Sequence, residues 1–97
     1  MKDSPIRDFS DEDVRDYLAA VHSFLDAPAP AAPVEWRNER TGAGAHLELL
    51  GQPQIEGFQE CRRVRTNVYS KKRKAKPRVW TACRDVEDGG WRLVSGN

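Results

Sequence analysis

Apolar residues recur with a helical period near the start of the chain. Between residues 11 and 26 they fall three or four positions apart, at Val14, Leu18, Val21 and Leu25, flanked by Tyr17 and Phe24. Ser10 is placed to cap this helix, and Asp13 stands at the matching capping-box position. Pro28 ends the pattern. We therefore predict an amphipathic helix within residues 10–27, preceded by a flexible N-terminus at residues 1–9.

A proline-rich linker at residues 28–33 follows, and the apolar period then changes to two. Alternation between apolar and polar residues predicts strands at about 34–37, 45–49, 58–69, 77–86 and 91–94. Glycines mark turns between several of them. The predicted fold is α+β: one N-terminal helix packed on a curled antiparallel meander of about five strands. Residues 34–97 form the sheet, and the whole chain forms a single domain.

The two cysteines lie on predicted neighbouring strands. If residues whose numbers sum to 144 are paired, Cys61 faces Cys83 and Val64 faces Trp80. This register predicts a Cys61–Cys83 disulfide, and therefore an oxidising compartment and an export segment that precedes residue 1. The alternative is two buried free thiols in a cytoplasmic protein.

Charge is unevenly distributed, although the net charge of the 97 residues is only +1. Residues 61–84 include ten basic residues and no acidic one, whereas residues 1–26 include seven acidic and three basic residues. The two segments could attract each other or bind outside partners. A basic run forms the candidate binding site for nucleic acid or anionic lipid: Lys71, Lys72, Arg73, Lys74 and Lys76. The alternative is a solvated hairpin tip.

No catalytic or metal-binding pattern stands out in the sequence. His22 and His46 are isolated, and two cysteines with two scattered histidines lack the spacing of a zinc site. We expect a protein without enzymatic activity, metal or cofactor, and no small-molecule substrate is evident. No apolar run reaches the ~20 residues of a membrane span. The tryptophans fit a core, or alternatively an aromatic groove for a peptide or glycan.

An ordered set of short motifs covers about residues 34–94 and consists of Trp36-x-Asn38, Thr41-Gly42, Gly44, Cys61-Arg62, Ala82-Cys83-Arg84 and Gly90-Trp91. This set resembles the C-terminal domain of the rickettsial 17-kDa surface antigen family, whose members are bacterial outer-membrane lipoproteins. The chain departs from the family in its basic hairpin tip and in having no glycine-zipper segment.

The resemblance implies an exported domain of the periplasm or outer membrane, and no enzymatic activity. Together with the residue patterns, it favours a structural or interaction domain of the cell envelope, whose partner is an envelope protein or an anionic surface. A polyanion-binding module and a secretion-system subunit are the alternatives. The oligomeric state is not indicated.

Overall fold

A computed structural model describes residues 4–29 and 31–96, and in them it contains one α-helix and five β-strands. The helix is α1 (Asp11–Asp26). The strands are β1 (Val34–Asn38), β2 (Ala43–Gly51), β3 (Phe58–Tyr69), β4 (Arg78–Asp85) and β5 (Trp91–Gly96). Each strand pairs antiparallel with the next in the chain, in the order β1-β2-β3-β4-β5. The predicted α+β fold, a helix on a five-strand meander, is confirmed.

Helix α1 begins with the predicted capping box. The Ser10 hydroxyl accepts a hydrogen bond from the backbone N–H of Asp13, and the Asp13 carboxylate accepts one from the backbone N–H of Ser10. These two bonds satisfy backbone donors that a helix start leaves unpaired. The helix ends at Asp26, before Pro28, as the sequence predicts.

The packed face of α1 differs in one respect from the predicted stripe. Phe24 and Leu25 are buried in the core, and Tyr17 and Val21 pack against it. By contrast, Leu18 of the predicted stripe keeps 53% of its surface exposed, and Val14 keeps 36%. The packed face of α1 therefore consists of Tyr17, Val21, Phe24 and Leu25, and Val14 and Leu18 are the more exposed members of the predicted stripe.

The core lies between α1 and the sheet, where Phe24 and Leu25 meet Leu47, Val64 and Ala82. The predicted register of the β3–β4 hairpin is confirmed, with Val64 opposite Trp80 and Cys61 opposite Cys83. Because successive side chains of a strand point to opposite faces, the two cysteines lie on the face turned away from α1. They form the predicted disulfide, and both are buried.

Polar contacts attach both ends of α1 to the sheet. At the N-terminal end, Asn38 and Thr41 donate hydrogen bonds to Asp13 Oδ1. At the C-terminal end, the Arg62 guanidinium donates to the backbone carbonyl oxygen of Phe24. The position of α1 on the sheet is therefore fixed by hydrogen bonds at both helix ends as well as by apolar burial.

The acidic N-terminal segment and the basic segment at residues 61–84 contact each other. The Arg84 guanidinium lies 3.0 Å from Asp26 Oδ1, and Arg73 Nε lies 3.1 Å from Asp8 Oδ2. The indole N–H of Trp91 also donates to Asp26, at 2.8 Å. The charge distribution left open whether the two segments attract each other or bind outside partners. These pairs show that the two segments attract each other.

Regular structure is present within the stretch that we predicted to be flexible, residues 1–9. Pro5–Asp8 forms a 3-10 turn, in which Ser4 accepts a hydrogen bond from the backbone N–H of Ile6 and Pro5 is buried. Serine as a cap followed by proline is a favourable helix start, which explains the turn. Residues 1–3, and Pro30 of the predicted linker, lie outside the described residues.

Candidate functional site

The basic residues lie in a loop at residues 70–77 between β3 and β4, which we call the basic loop. Ser70, which is buried, holds its backbone in place. The Ser70 hydroxyl accepts hydrogen bonds from the backbone N–H groups of Lys72 and Arg73 and donates one of 2.7 Å to Asp8 Oδ2. The backbone N–H of Ser70 donates to the carbonyl oxygen of Arg73. The basic loop therefore has a defined backbone conformation.

Asp8 connects the basic loop to the N-terminal turn. It accepts hydrogen bonds from the Ser70 hydroxyl and from the Arg73 guanidinium. The hydrogen bond from Ser70, followed by the positive charge of Arg73, lowers the pKa of the Asp8 carboxyl below its usual value. Asp8 is thus a charged partner of the loop at neutral pH, although the sequence pattern did not single it out. The Ser4-Pro5 helix start would have indicated that this segment is ordered.

The five predicted binding residues separate into two groups. Arg73 is only partly exposed and is paired with Asp8, so it contributes to the structure of the loop. The other four side chains are exposed, and they are Lys71, Lys72, Lys74 and Lys76. The structure therefore presents four lysines to solvent from one short, hydrogen-bonded loop.

An apolar groove begins beside the basic loop, on the face of the sheet that carries α1. It has a volume of about 520 Å³ and lies between the N-terminal turn, α1 and strands β3 to β5. Its apolar lining consists of Ile6, Tyr17, Val68, Ala75, Trp80 and Leu93. Lys76 and Arg78 also line it, and both are exposed. The groove therefore combines an apolar interior with two cationic side chains.

Polar atoms of the groove are hydrogen-bonded to one another. The Trp80 indole N–H donates to the Thr66 hydroxyl at 3.3 Å. Burial raises the pKa of the Tyr17 hydroxyl, and its hydrogen bond with Thr66 partly opposes that effect. Tyr17 is therefore neutral at physiological pH. With their polar atoms satisfied, the aromatic rings can offer apolar surface to a ligand.

A second cavity lies on the disulfide side, beneath the connection between β2 and β3. It measures about 710 Å³ and is lined by residues 52–56 and 58–61, including the disulfide-bonded Cys61. Its lining is largely polar, with the side-chain amides of Gln52, Gln54 and Gln59. Gln59 is already engaged, since it donates to the backbone carbonyl of Asp85.

The motif residues behind the family resemblance have structural partners. Trp36 packs against Phe9 and Tyr17, with ring centroids 5.6 and 5.9 Å apart. Gly42 adopts a positive φ of 81°, which favours glycine, and passes close to Lys71. Arg84 lies over the Trp91 ring, 4.7 Å from its centroid. These residues shape the scaffold, whereas the basic loop and the groove form its charged and apolar surfaces.

Among the residues that the structure describes, no helix is long and apolar enough to cross a membrane. In comparisons with known proteins, no family model, no curated protein and no solved structure matches this chain.

Proposed function

We propose that the protein is a non-enzymatic interaction domain of the bacterial cell envelope, of surface-antigen type, which contacts an anionic lipid surface through its basic loop. One observation carries this proposal: Lys71, Lys72, Lys74 and Lys76 are all exposed on a loop whose backbone is hydrogen-bonded to Ser70, which in turn is bonded to Asp8. A loop that is already ordered loses little conformational entropy when it binds.

The disulfide supports a location outside the reducing cytosol. Disulfide bonds persist in oxidising compartments such as the bacterial periplasm and are rare in the cytoplasm. Cys61 and Cys83 are the only cysteines of the chain, and they are bonded to each other. The resemblance to exported surface antigens agrees with this location. An envelope domain would meet anionic lipid headgroups directly.

The apolar groove favours lipid over nucleic acid as the partner of the basic loop. Binding to single-stranded nucleic acid combines a charged path with aromatic rings on which bases stack. Here the groove beside Lys76 also contains two aromatic rings, those of Tyr17 and Trp80, but aliphatic side chains complete its apolar lining: Ile6, Val68, Ala75 and Leu93. Aliphatic side chains of this kind match acyl chains, while lysines match headgroups. Each lysine near an anionic membrane is worth about 1 kcal/mol.

Vesicle binding tests the proposal. We expect the protein to sediment with phosphatidylcholine vesicles that contain phosphatidylglycerol, but not with pure phosphatidylcholine, and to be released as salt increases. The variant Lys71→Ser/Lys72→Ser/Lys74→Ser should bind about 100-fold more weakly, from about 1 kcal/mol for each lysine. Its matched control, Arg15→Ser/Arg63→Ser/Arg92→Ser, removes the same charge from exposed residues outside the loop. Equal losses in both variants, or tighter binding to an oligonucleotide than to vesicles, would contradict the proposal.

A further inference from the structure

We infer that the apolar groove binds a single-chain amphiphile of the fatty-acid type, with its carboxylate at Lys76 and Arg78 and its chain against Val68, Trp80 and Leu93. The inference extends the proposed function and rests on it for the envelope setting. It concerns a bound molecule in the groove, whereas the proposed function concerns a membrane surface at the tip of the basic loop.

The size and lining of the groove fit one flexible chain. Ligand cavities usually measure about 300–1,000 Å³ and are mostly apolar with a few polar groups. At about 520 Å³, this groove lies in the lower half of that range. Its interior is formed by aliphatic and aromatic side chains, and Thr66 satisfies the indole N–H of Trp80. An apolar chain bound there therefore leaves the indole N–H of Trp80 with its hydrogen-bond partner.

Charge selects the headgroup. Among the described residues that line the groove, Lys76 and Arg78 are basic and none is acidic. An anion at this position gains attraction from two cations, whereas a cationic headgroup would meet only repulsion. Lysine and arginine side chains both donate hydrogen bonds to carboxylates. The lining thus complements a molecule that is apolar along its length and negative at one end.

The groove is accessible without unfolding. Leu93 on β5 keeps 70% of its surface exposed, and Ile6 on the N-terminal turn keeps 39%. These two apolar residues lie on the elements that flank the groove. A bound chain would cover them, and burial of apolar surface is the main favourable term for such a ligand.

Titration with decanoate below its micelle concentration tests the inference, with decanol as the uncharged probe. The chain has three tryptophans, so the three indole N–H resonances in an NMR spectrum report separate positions. We expect the Trp80 resonance to shift with saturation, while those of Trp36 and Trp91 change little. Decanoate should bind more tightly than decanol. An unchanged Trp80 resonance, or equal shifts of all three, would overturn the inference.

Two variants and their control sharpen the test. Leu93→Glu adds a negative charge at the groove and should weaken decanoate binding at least 10-fold, while Val86→Glu should change it less than 2-fold. Val86 is a matched control because it is also exposed and lies outside the groove. Lys76→Ser should weaken decanoate about 5-fold, the equivalent of one lysine near an anion, and leave decanol unchanged. An equal effect on both probes would refute the headgroup assignment.

The two proposals can be refuted independently of each other. The variant Lys71→Ser/Lys72→Ser/Lys74→Ser leaves the groove lining intact, so it should lose vesicle binding and keep decanoate binding. If the protein bound anionic vesicles but its Trp80 resonance did not shift on addition of decanoate, the groove proposal would be overturned and the surface proposal would stand. If the protein bound decanoate but did not bind anionic vesicles, only the surface proposal would be overturned.

Discussion

Asn38 Nδ2 donates a hydrogen bond of 2.6 Å to Asp13 Oδ1, which joins the first turn of α1 to the end of β1. The same oxygen accepts a bond from the Thr41 hydroxyl, and Oδ2 accepts one from the backbone N–H of Ser10. Asp13 is completely buried. A buried carboxylate is tolerated when hydrogen-bond donors surround it, and this one has three. The capping-box aspartate of the helix therefore also attaches the helix to the sheet.

We expect Asp13→Ala to lower the free energy of unfolding by about 3 kcal/mol, because it leaves the partly buried donors of Asn38 and Thr41 without this acceptor and removes the capping box. Urea unfolding measures the change. Asp16→Ala is the matched control, since Asp16 is an exposed aspartate of the same helix and should change stability by less than about 0.5 kcal/mol. Similar values for the two variants would show that the Asp13 contacts contribute little.

The pKa of Asp13 predicts loss of stability in acid. Burial tends to raise the pKa of this carboxyl, but hydrogen bonds from the Ser10 backbone, Asn38 and Thr41 together bring it below its usual value. A carboxyl with a lowered folded-state pKa stabilises the fold above its unfolded pKa, about 3.9 for aspartate, and this contribution is lost as pH falls through the folded pKa. The free energy of unfolding should stay level from pH 7 to 5 and decrease below about pH 4.

The variant Asp13→Asn isolates this contribution. It lacks the titrating group, so its stability should fall less steeply below about pH 4 than that of the wild type. Part of the slope should remain, because Asp8 and Asp26 also have a lowered pKa: hydrogen bonds from Ser70 and Trp91, respectively, are the leading causes. Identical slopes for wild type and Asp13→Asn would mean that Asp13 does not titrate differently in the two states.

Reduction of the Cys61–Cys83 disulfide should lower the free energy of unfolding by about 3 kcal/mol. The two cysteines are 22 residues apart, and closing a loop of that length restricts the unfolded chain by about this amount. The chain has no other cysteine, so a reductant acts at this bond alone. Paired urea titrations with and without reductant measure the effect, and a mass increase of two hydrogens verifies the reduction. Coincident titrations would contradict the prediction.

The sequence predicted the elements whose patterns are local. Residues 11–26 carry both a cap and a helical period, and the helix has those bounds. The register of the β3–β4 hairpin followed from its two cysteines, because opposite residues of paired strands share a constant sum of residue numbers. A strong local pattern and a symmetric pair of residues thus suffice for the helix, this hairpin and the disulfide.

Features that depend on contacts distant in sequence were not predicted. The exposure of Leu18 depends on which side of α1 faces the sheet. The helical period of the sequence alone does not determine that side. The pairing of Asp8 with Arg73 joins residues far apart in sequence. The groove brings together Ile6, Trp80 and Leu93 from three elements. The lysines of the basic loop were found because they lie close together in the sequence, between residues 71 and 76, whereas the groove beside them has no contiguous pattern.

Gly44 on β2 lies directly beneath the ring of Tyr69 on β3. A methyl group at residue 44 would come within 2.4 Å of the ring, whereas nothing lies within 4 Å of one at Gly51 of the same strand. Gly44→Ala should therefore cost about 1–3 kcal/mol of stability through overpacking, and Gly51→Ala should cost clearly less. Thermal unfolding of the two variants compares them. Equal effects would indicate that the Tyr69 ring moves without penalty.

Tyr69 offers a second measurement of the same contact. Its hydroxyl donates a 2.5 Å hydrogen bond to Glu35, and burial, followed by that bond, raises the pKa of Tyr69 above its usual value. In Gly44→Ala the ring must move, so the pKa of Tyr69 should fall toward about 10. Spectrophotometric titration follows it, since the only other tyrosine is Tyr17. An unchanged pKa in Gly44→Ala would show that the ring stays in place.

Arg62 and Arg63 are neighbours on β3 with opposite surroundings. Arg62 is only 3% exposed, donates to the Phe24 carbonyl oxygen at 3.3 Å and forms an ion pair with Glu60. Arg63 is exposed. We expect Arg62→Ala to lower the free energy of unfolding by about 3 kcal/mol, because it removes the charged hydrogen bond to the Phe24 carbonyl, the ion pair with Glu60 and packed methylene groups. Arg63→Ala should change it by less than about 0.5 kcal/mol.

Arg62→Met separates the charge of Arg62 from its volume. Methionine keeps much of the apolar stem but has no donor for the Phe24 carbonyl. Amide hydrogen exchange should therefore become faster in the last turn of α1 in this variant, while the first turn, held by Asn38 and Thr41, keeps its protection. If exchange increased equally at both ends, Arg62 would support the whole helix through packing. If it did not increase at either end, the bond to Phe24 would have no role in holding α1 on the sheet.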